Sequence, residues 1–274
     1  MRPTRARATI AALLAIGVSP GRGQTQPAAP PQLAEYAVFG QLGVTVGHES
    51  RVVSGAVGSL GRAVRLGRGV RVTNVVAAPA VRLGPDARTG RLFCHFVSGP
   101  PPLPSCTAFS DPLVDPARLP PVSVVPGTTD LRIAAHTGTA PVPAGSFRDV
   151  RVGSGSVLQL AGGAYAARSL RIGRSARVIC AAGCRISVRG PVRVHSGGEL
   201  GAAAAVQANG VRIDIAATGP RPAFHAARRA NVSATIFAPA GDMVLAPLGA
   251  YRGAFIGRRV AVGAQTTVRG DSAL

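Results

Sequence analysis

Apolar and polar residues alternate along most of this chain in short runs that end at a glycine. The run V-R-V-G at 150–153 returns as L-R-I-G at 170–173, and small polar residues follow both copies before the next alternating run. Strict alternation is typical of a strand with one buried face, and a helical period fits neither copy. The pattern predicts short strands joined by tight turns, in a repeat of about twenty residues.

The same motif recurs on both sides of this pair. Earlier copies end at Gly47, Gly67 and Gly84, and later alternating runs lie at 192–194 and 211–215. A repeat of short strands cannot bury its own apolar face, so successive copies must stack. We therefore expect an all-β fold, a right-handed parallel β-helix of about ten coils. The anchoring glycines are expected either to have positive φ or to pack closely at corners.

Proline-rich stretches interrupt the repeat. Proline removes the N–H group that a central strand needs, so we expect a Pro/Cys loop at 94–130 that leaves the coils. Such a loop either carries function or covers an apolar face. A shorter excursion is expected at 218–231. A Pro/Ala/Gln-rich linker at 24–35 would precede the β-helix domain at 36–271.

The beginning of the chain has the pattern of an export signal. Three arginines within the first seven residues precede an apolar run at 8–18, and small residues follow. This run is too short to span a membrane, so we predict a secretory signal peptide at 1–23. The protein would then be secreted to the periplasm, the cell surface or the extracellular space.

The charge of the chain points to anionic partners. The net charge is +20, and all 31 basic residues are arginine, which suits sulfate, phosphate and carboxylate groups. Aromatic residues make up 4% of the chain and tryptophan is absent, which disfavours nucleic acid because bases need stacking platforms. An anionic polysaccharide or an envelope surface is the expected partner, and the other interpretation is a solvated surface. The arginines expected to point outward as ladders are Arg65, Arg71, Arg82, Arg151, Arg171, Arg177 and Arg193.

Because the chain is expected to be exported, its four cysteines could form disulfide bonds. They allow three pairings, of which the sequence-local one joins Cys94 to Cys106 and Cys180 to Cys184. Free buried thiols are the alternative. The spacings do not fit zinc, and we predict no metal site and no cofactor.

The eleven acidic residues are scattered, which gives little support to an enzyme. Glycoside hydrolysis commonly uses two carboxylates a few ångströms apart. The weak catalytic candidates are Asp111, Asp115 and His95. A calcium site would need acids from successive coils, for which the candidates are Glu199, Asp214 and Asp242.

The C-terminal section resembles a group of proteins. A-T-I-F-A-P-A-G-D-M-V-L at 234–245 and G-A-F-I-G-R-R-V-A-V-G at 253–263 are similar to the closing coils of uncharacterised secreted bacterial single-stranded right-handed β-helix proteins. Y-A-V-F-G-Q-L-G-V-T-V-G at 36–47 resembles their opening coils. The V-x-V-G texture is also similar to that of the polymerising bactofilins. The resemblance implies an exported β-helix and supplies no catalytic residues.

The sequence thus favours an exported, non-catalytic structural or adhesion-type β-helix protein of the cell envelope or extracellular matrix. The alternative is a carbohydrate-active enzyme, a polysaccharide lyase or hydrolase of pectin-lyase-like architecture. End-to-end self-association is also expected, because the terminal coils of a β-helix expose unpaired strand edges.

Overall fold

The computed structural model describes residues 31–109, 119–138, 141–203 and 207–271. Within these ranges the chain forms strands, two short 3-10 turns at Leu33–Glu35 and Ala208–Gly210, and no α-helix. None of the described helical segments has the length and apolar character that a membrane span requires. The predicted signal peptide lies outside the described residues.

The described residues form twenty-five strands, which belong to two consecutive parts of the chain. The N-terminal coils contain β1 (Tyr36–Val46), β2 (Arg51–Ser54), β3 (Ala56–Ser59), β4 (Val64–Leu66), β5 (Arg71–Val72), β6 (Val76–Ala77), β7 (Ala80–Leu83), β8 (Arg88–Thr89), β9 (Leu92–Phe93) and β10 (Phe96–Ser98). The C-terminal coils contain β11 (Leu131–Ile133), β12 (Gly145–Val152), β13 (Val157–Leu160), β14 (Gly163–Ile172), β15 (Arg177–Cys180), β16 (Cys184–Val188), β17 (Val192–Val194), β18 (Glu199–Ala202), β19 (Val211–Ile215), β20 (Phe224–Ala226), β21 (Asn231–Ser233), β22 (Thr235–Leu245), β23 (Ala250–Arg252), β24 (Phe255–Val262) and β25 (Thr267–Arg269).

The strands stack in parallel into a β-solenoid of about 11 turns, which confirms the predicted fold class. Each coil contributes to three faces. The first and second faces form one 16-stranded sheet, because long strands such as β1, β14 and β24 bend from one face to the other. The third face is a nine-stranded sheet that begins with β13 and ends with β8.

The coils do not stack in chain order. β1 pairs with β24 through Val44 and Val260, and β2 pairs with β25 through Arg51 and Thr267, so the first coil lies directly on the last. From this seam the N-terminal coils continue to β10 at one end, while β11 lies at the other end. Both ends of the solenoid are therefore formed by internal segments, and the first and last coils meet in its middle.

The segment that joins the two ends covers the first face. Outward positions on this face are apolar near the seam, and Phe39, Phe237 and Ile256 are buried there. Leu119 packs in the same cluster, together with the half-buried Phe109. The predicted loop at 94–130 therefore acts in part as a cover, although it also contains β10 and Thr107, which pairs with Phe93.

The interior consists of columns of apolar side chains in register, most of them aliphatic. On the second face a single inward column crosses the seam, and its members are Val150, Leu170, Val192, Phe224, Met243, Val260, Val44, Val64 and Val81. All of them are buried. Burial of each such side chain contributes about 1.5–3 kcal/mol, which is why the alternating pattern determines the direction of every strand's side chains.

The anchoring glycines pack closely and do not adopt positive φ. A Cβ on Gly153 would lie 2.5 Å from the backbone nitrogen of Ala135, and one on Gly173 would lie 2.7 Å from that of Ser154. Positive φ occurs two residues later, at a corner position that either glycine or another residue occupies, as Gly155 and Ser175 do. Of the two expectations for these glycines, close packing is the correct one.

Candidate functional site

The central outward position of the second face forms one ladder along the whole solenoid. Its arginines are the middle residues of short runs such as Val150, Arg151 and Val152, in which the two valines are buried and the arginine is exposed. We call this row the second-face ladder. In axial order its members are Arg132, Arg151, Arg171, Arg193, His225, Val244, Ala261, Thr45, Arg65, Arg82 and Ser98.

Three of the predicted arginines are consecutive rungs of this ladder. Arg171 lies in register between Arg151 and Arg193. Adjacent parallel strands lie about 4.8 Å apart, so these guanidinium groups form a closely spaced row. The sequence analysis expected such a row, and the register places these three side chains in it.

The surroundings of this row are short of negative charge. The Arg151 guanidinium lies 3.8 Å from the Asp149 carboxylate. Neither Arg171 nor Arg193 has a carboxylate partner among the described residues. Burial lowers the pKa of the half-buried Arg193 guanidinium, and the positive charges of Arg171 and Arg221 lower it further. The row is therefore a region of positive potential that is open to an anion.

Two histidines extend this basic region. His225 is the next rung after Arg193, on β20, and His195 directly follows β17. Burial lowers the pKa of His225, and the charges of Arg193 and His195 lower it further. The two histidines belong to one cluster because β17 and β20 are neighbours in the sheet.

A second basic pair lies on the other side of the seam. Arg65 and Arg82 are adjacent rungs of the second-face ladder. Between the two basic segments the rungs Val244, Ala261 and Thr45 form the floor of an open groove of about 370 Å³. The groove is bordered by charged side chains, namely Arg62, Arg65, Asp242 and Arg259.

The remaining two predicted arginines lie on the third face. Arg71 stacks between Arg51 and Arg88, so it belongs to a different ladder. Arg177 forms an ion pair with Glu199 at 2.7 Å. The seven candidates therefore fall on two faces, and five of them share the second-face ladder.

Most described acids are held by arginines of neighbouring rungs. The hydrogen bonds from Arg148 and from Arg132 lower the pKa of Asp130. Arg185 and Arg212 both contact Asp214, at 2.9 and 2.8 Å. These pairs leave the acids in structural roles, which stabilise the contacts between coils.

The calcium candidates lie on different parts of the surface. Glu199 belongs to the third face, Asp214 to the first face, and Asp242 lies between the first and second faces, where it pairs with Arg258 at 2.8 Å. Among the described residues no group of three or more His, Cys, Asp or Glu side chains could hold a metal ion.

Of the three catalytic candidates, only one lies within the described residues. Asp111 and Asp115 fall in the range that the structure does not describe. The His95 ring stacks on Phe109 with 4.6 Å between the ring centroids, and a ring nitrogen lies 3.2 Å from the Phe109 carbonyl oxygen. His95 therefore holds Phe109 of the connecting segment against the coil that contains β10.

The cysteines pair in the sequence-local way. Cys94 bonds to Cys106 at the β10 end of the solenoid, with 5.3 Å between their Cα atoms. Cys180 bonds to Cys184 across the corner between β15 and β16, with a Cα separation of 6.0 Å. Disulfides persist in oxidising environments, so these two bonds favour a location outside the cytosol.

Arg221, Arg132 and His225 are residues of this face that the sequence analysis did not include. The run F-H-A at 224–226 is in register with the run V-R-V at 192–194, so His225 occupies the position of an arginine. Because neither its apolar residues nor its central residue match the V-R-V pattern, the sequence did not reveal this register.

Comparisons with protein-family models, with curated proteins and with solved structures find no match. The functional argument therefore starts from the geometry of this face.

Proposed function

We propose that this protein is an exported structural or adhesion-type β-solenoid that binds an anionic polysaccharide along its second face. The observation that carries the proposal is the row of Arg151, Arg171 and Arg193 on three consecutive coils. Two of these guanidinium groups have no carboxylate partner among the described residues, so their charge is available to a ligand.

The shape of the face fits a linear polymer. The ladder runs from coil to coil in register, with rungs about 4.8 Å apart. Arg65 and Arg82 continue the same row beyond the groove at the seam. A polymer with regularly spaced negative groups can therefore contact both basic segments at once, and each further contact raises the effective concentration for the next one.

The chemistry of the described acids supports a binding role over a catalytic one. Each of Asp130, Asp149 and Asp214 is engaged by at least one arginine, and Asp149 and Asp214 are almost fully buried. Hydrogen bonds from arginines lower the pKa of Asp130 and of Asp149, and a carboxylate with a lowered pKa is a poor general acid. The disulfides agree with export to the cell envelope or the extracellular matrix.

Binding to defined polymers tests this proposal. The affinity for dextran sulfate and for polygalacturonate should exceed that for neutral dextran by more than about tenfold, and should fall steeply with salt because the attraction is electrostatic. The double variant Arg171→Gln/Arg193→Gln should weaken binding of both anionic polymers by about tenfold or more.

A matched variant separates the face from the total charge. Arg51→Gln/Arg88→Gln removes the same two charges from the third face, where both residues are exposed. It should change the affinity by less than about threefold, as expected for distant charges that salt screens. Equal losses in the two double variants, or equal affinity for neutral dextran, would contradict the proposal.

A further inference from the structure

The basic cluster around Arg193 brings together side chains from separate segments. Arg171 comes from β14, Arg193 from β17 and Arg221 from the segment that precedes β20. His225 is in register with Arg193, and His195 lies near enough to influence it electrostatically. We call these five residues the Arg193 cluster.

The cluster has an excess of positive charge at close range. Burial lowers the pKa of Arg193, and the charges of Arg171 and Arg221 lower it further, so each of these two guanidinium groups repels that of Arg193. Among the described residues none of the three forms an ion pair. Concentrated like charge without a protein counterion is costly, and a bound multivalent anion would relieve it.

We infer that the Arg193 cluster is a discrete site for a tetrahedral oxyanion, a sulfate ester or phosphate monoester of the bound polysaccharide, and that protonation of His225 strengthens this binding. The inference rests on the proposed function and narrows it to a ligand class. The site would recognise the tetrahedral arrangement of negatively charged oxygens that sulfate and phosphate groups share.

The number and arrangement of donors favour a tetrahedral group over a carboxylate. One guanidinium already satisfies the two oxygens of a carboxylate in a bidentate pair. Here Arg171, Arg193 and His225 are consecutive rungs on three neighbouring strands, and the charges of Arg221 and His195 act on this row. Several donors from separate strands suit an anion with three or four oxygens that point in different directions.

The neighbours of His225 determine how proton binding is linked to anion binding. On the β17 side it faces Arg193 and His195. On the β22 side its partner is the uncharged Val244, and the nearby Asp242 has its carboxylate on Arg258.

The flanks of its own strand are also basic. Arg221 precedes β20, and Arg228 and Arg229 follow it. Apart from the engaged Asp242, the charged groups named around His225 are therefore positive. Burial, and after it the charges of Arg193 and His195, disfavour its protonated form in the free protein.

A bound anion would favour the protonated form of His225. It stabilises the imidazolium form, so binding takes up a proton and the affinity rises as the pH falls. A carboxylate polymer would pair with single guanidinium groups along the ladder, Arg171 and Arg193 included, without engaging His225, so its affinity would change less with pH.

The test compares two polymers and two pH values with the full chain. From about pH 7.5 to about pH 5.5, the affinity for dextran sulfate should rise roughly fivefold to tenfold, whereas that for polygalacturonate should change less than about twofold. His225→Gln should abolish the rise. His48→Gln, at an exposed histidine beyond the seam, is the matched control and should keep the rise.

Competition with inorganic anions identifies the source of the oxyanion. Stronger displacement of dextran sulfate by inorganic sulfate than by phosphate at equal ionic strength supports a sulfate ester, and the reverse order supports a phosphate monoester. Displacement by neither anion beyond the effect of chloride would overturn the inference.

The failures of the two proposals are distinguishable. If both polymers bind with the same pH dependence and His225→Gln has no effect, the oxyanion site is wrong while polyanion binding stands. If neither polymer binds better than neutral dextran, the proposed function fails as well.

Discussion

Arg168 and Arg171 lie three residues apart on β14, yet their electrostatic surroundings differ. Arg168 forms two hydrogen bonds with the Asp149 carboxylate, which lies one coil away. Arg171 has neighbouring arginines on both sides and no carboxylate partner among the described residues. Arg168 therefore serves as a structural clamp, whereas Arg171 is free for the binding role that we propose. The difference lies in the residues of the neighbouring coils.

The Asp149 clamp makes a prediction about stability and pH. Asp149 is 3% exposed and accepts hydrogen bonds from Arg168 and Ser169, which lower its pKa. A lowered pKa contributes stability above the ordinary value near about 4, and this contribution is lost as the pH falls through the lower folded value. Asp149→Asn should reduce the free energy of unfolding in urea by about 1–3 kcal/mol at neutral pH, and the difference from the parent should shrink at acidic pH.

Glu199→Gln is the control for this clamp. Its ion pair with Arg177 is more exposed, so the loss should stay below about 1 kcal/mol. Equal losses of unfolding free energy in the two variants at neutral pH would show that the buried Asp149 clamp stabilises the fold no more than an exposed ion pair does.

At the scale of elements, the corner between the second and third faces is the most regular feature. One residue per coil has positive φ there, and the column consists of His136, Gly155, Ser175, Gly197, Arg229, Leu248, Gln265, Glu49, Gly69 and Asp86. The backbone N–H of Gln265 donates to the His48 carbonyl across the seam at 2.8 Å, as corresponding groups do along the stack. This ladder compensates the cost of the left-handed conformation at non-glycine positions.

The close approach of coils at this corner predicts a sharp difference between two glycines. A Cβ on Gly173 would lie 2.7 Å from a backbone nitrogen and 2.8 Å from a backbone carbon, neither of which can move alone. Gly173→Ala should therefore lower the free energy of unfolding by about 1–3 kcal/mol.

Gly138 provides the matched control for that substitution. A Cβ there would meet nothing within 4 Å, so Gly138→Ala should have almost no effect on the urea midpoint. A neutral Gly173→Ala would mean that the coils are not packed as closely at this corner as the structure indicates.

At the scale of the whole molecule, the order of the coils is the unexpected result. The Gly270 N–H donates to the Ser54 carbonyl at 3.0 Å, and a Cβ on Gly270 would lie 3.1 Å from that of Ala37. Residues that are 216 positions apart in sequence are therefore direct neighbours at the seam. The self-association expected from terminal coils stays a prediction, but it now concerns the coils that contain β10 and β11.

This order predicts that a circular permutant folds. A chain that joins Asp271 to Leu33 through a short linker and opens between 110 and 118 would place all coils in axial order. Because it keeps every contact between coils, its free energy of unfolding should lie within about 1 kcal/mol of the parent value. A permutant opened between Ala166 and Ala167, inside β14, should lose cooperative unfolding, and equal behaviour of the two permutants would contradict the seam.

The sequence was sufficient for the strands but not for their order. Alternation around Arg151 and Arg171 predicted both the strands and the outward direction of these side chains, because the period is local. The pairing of Val44 with Val260 has no local signal, since any aliphatic column can stack on any other. Alternation also cannot tell which face an outward residue occupies, and this is why Arg71 and Arg177 were grouped with the second-face arginines.

The central claim is that one face of the solenoid holds the polyanion, and arginine footprinting tests it most directly. The full chain would be treated with an arginine-selective dicarbonyl reagent, with and without dextran sulfate, and the modified sites read by mass spectrometry. The account predicts that the polymer protects Arg151, Arg171 and Arg193 and leaves Arg51, Arg71 and Arg88 as reactive as before. Equal protection on both faces, or protection of the third face alone, would contradict it.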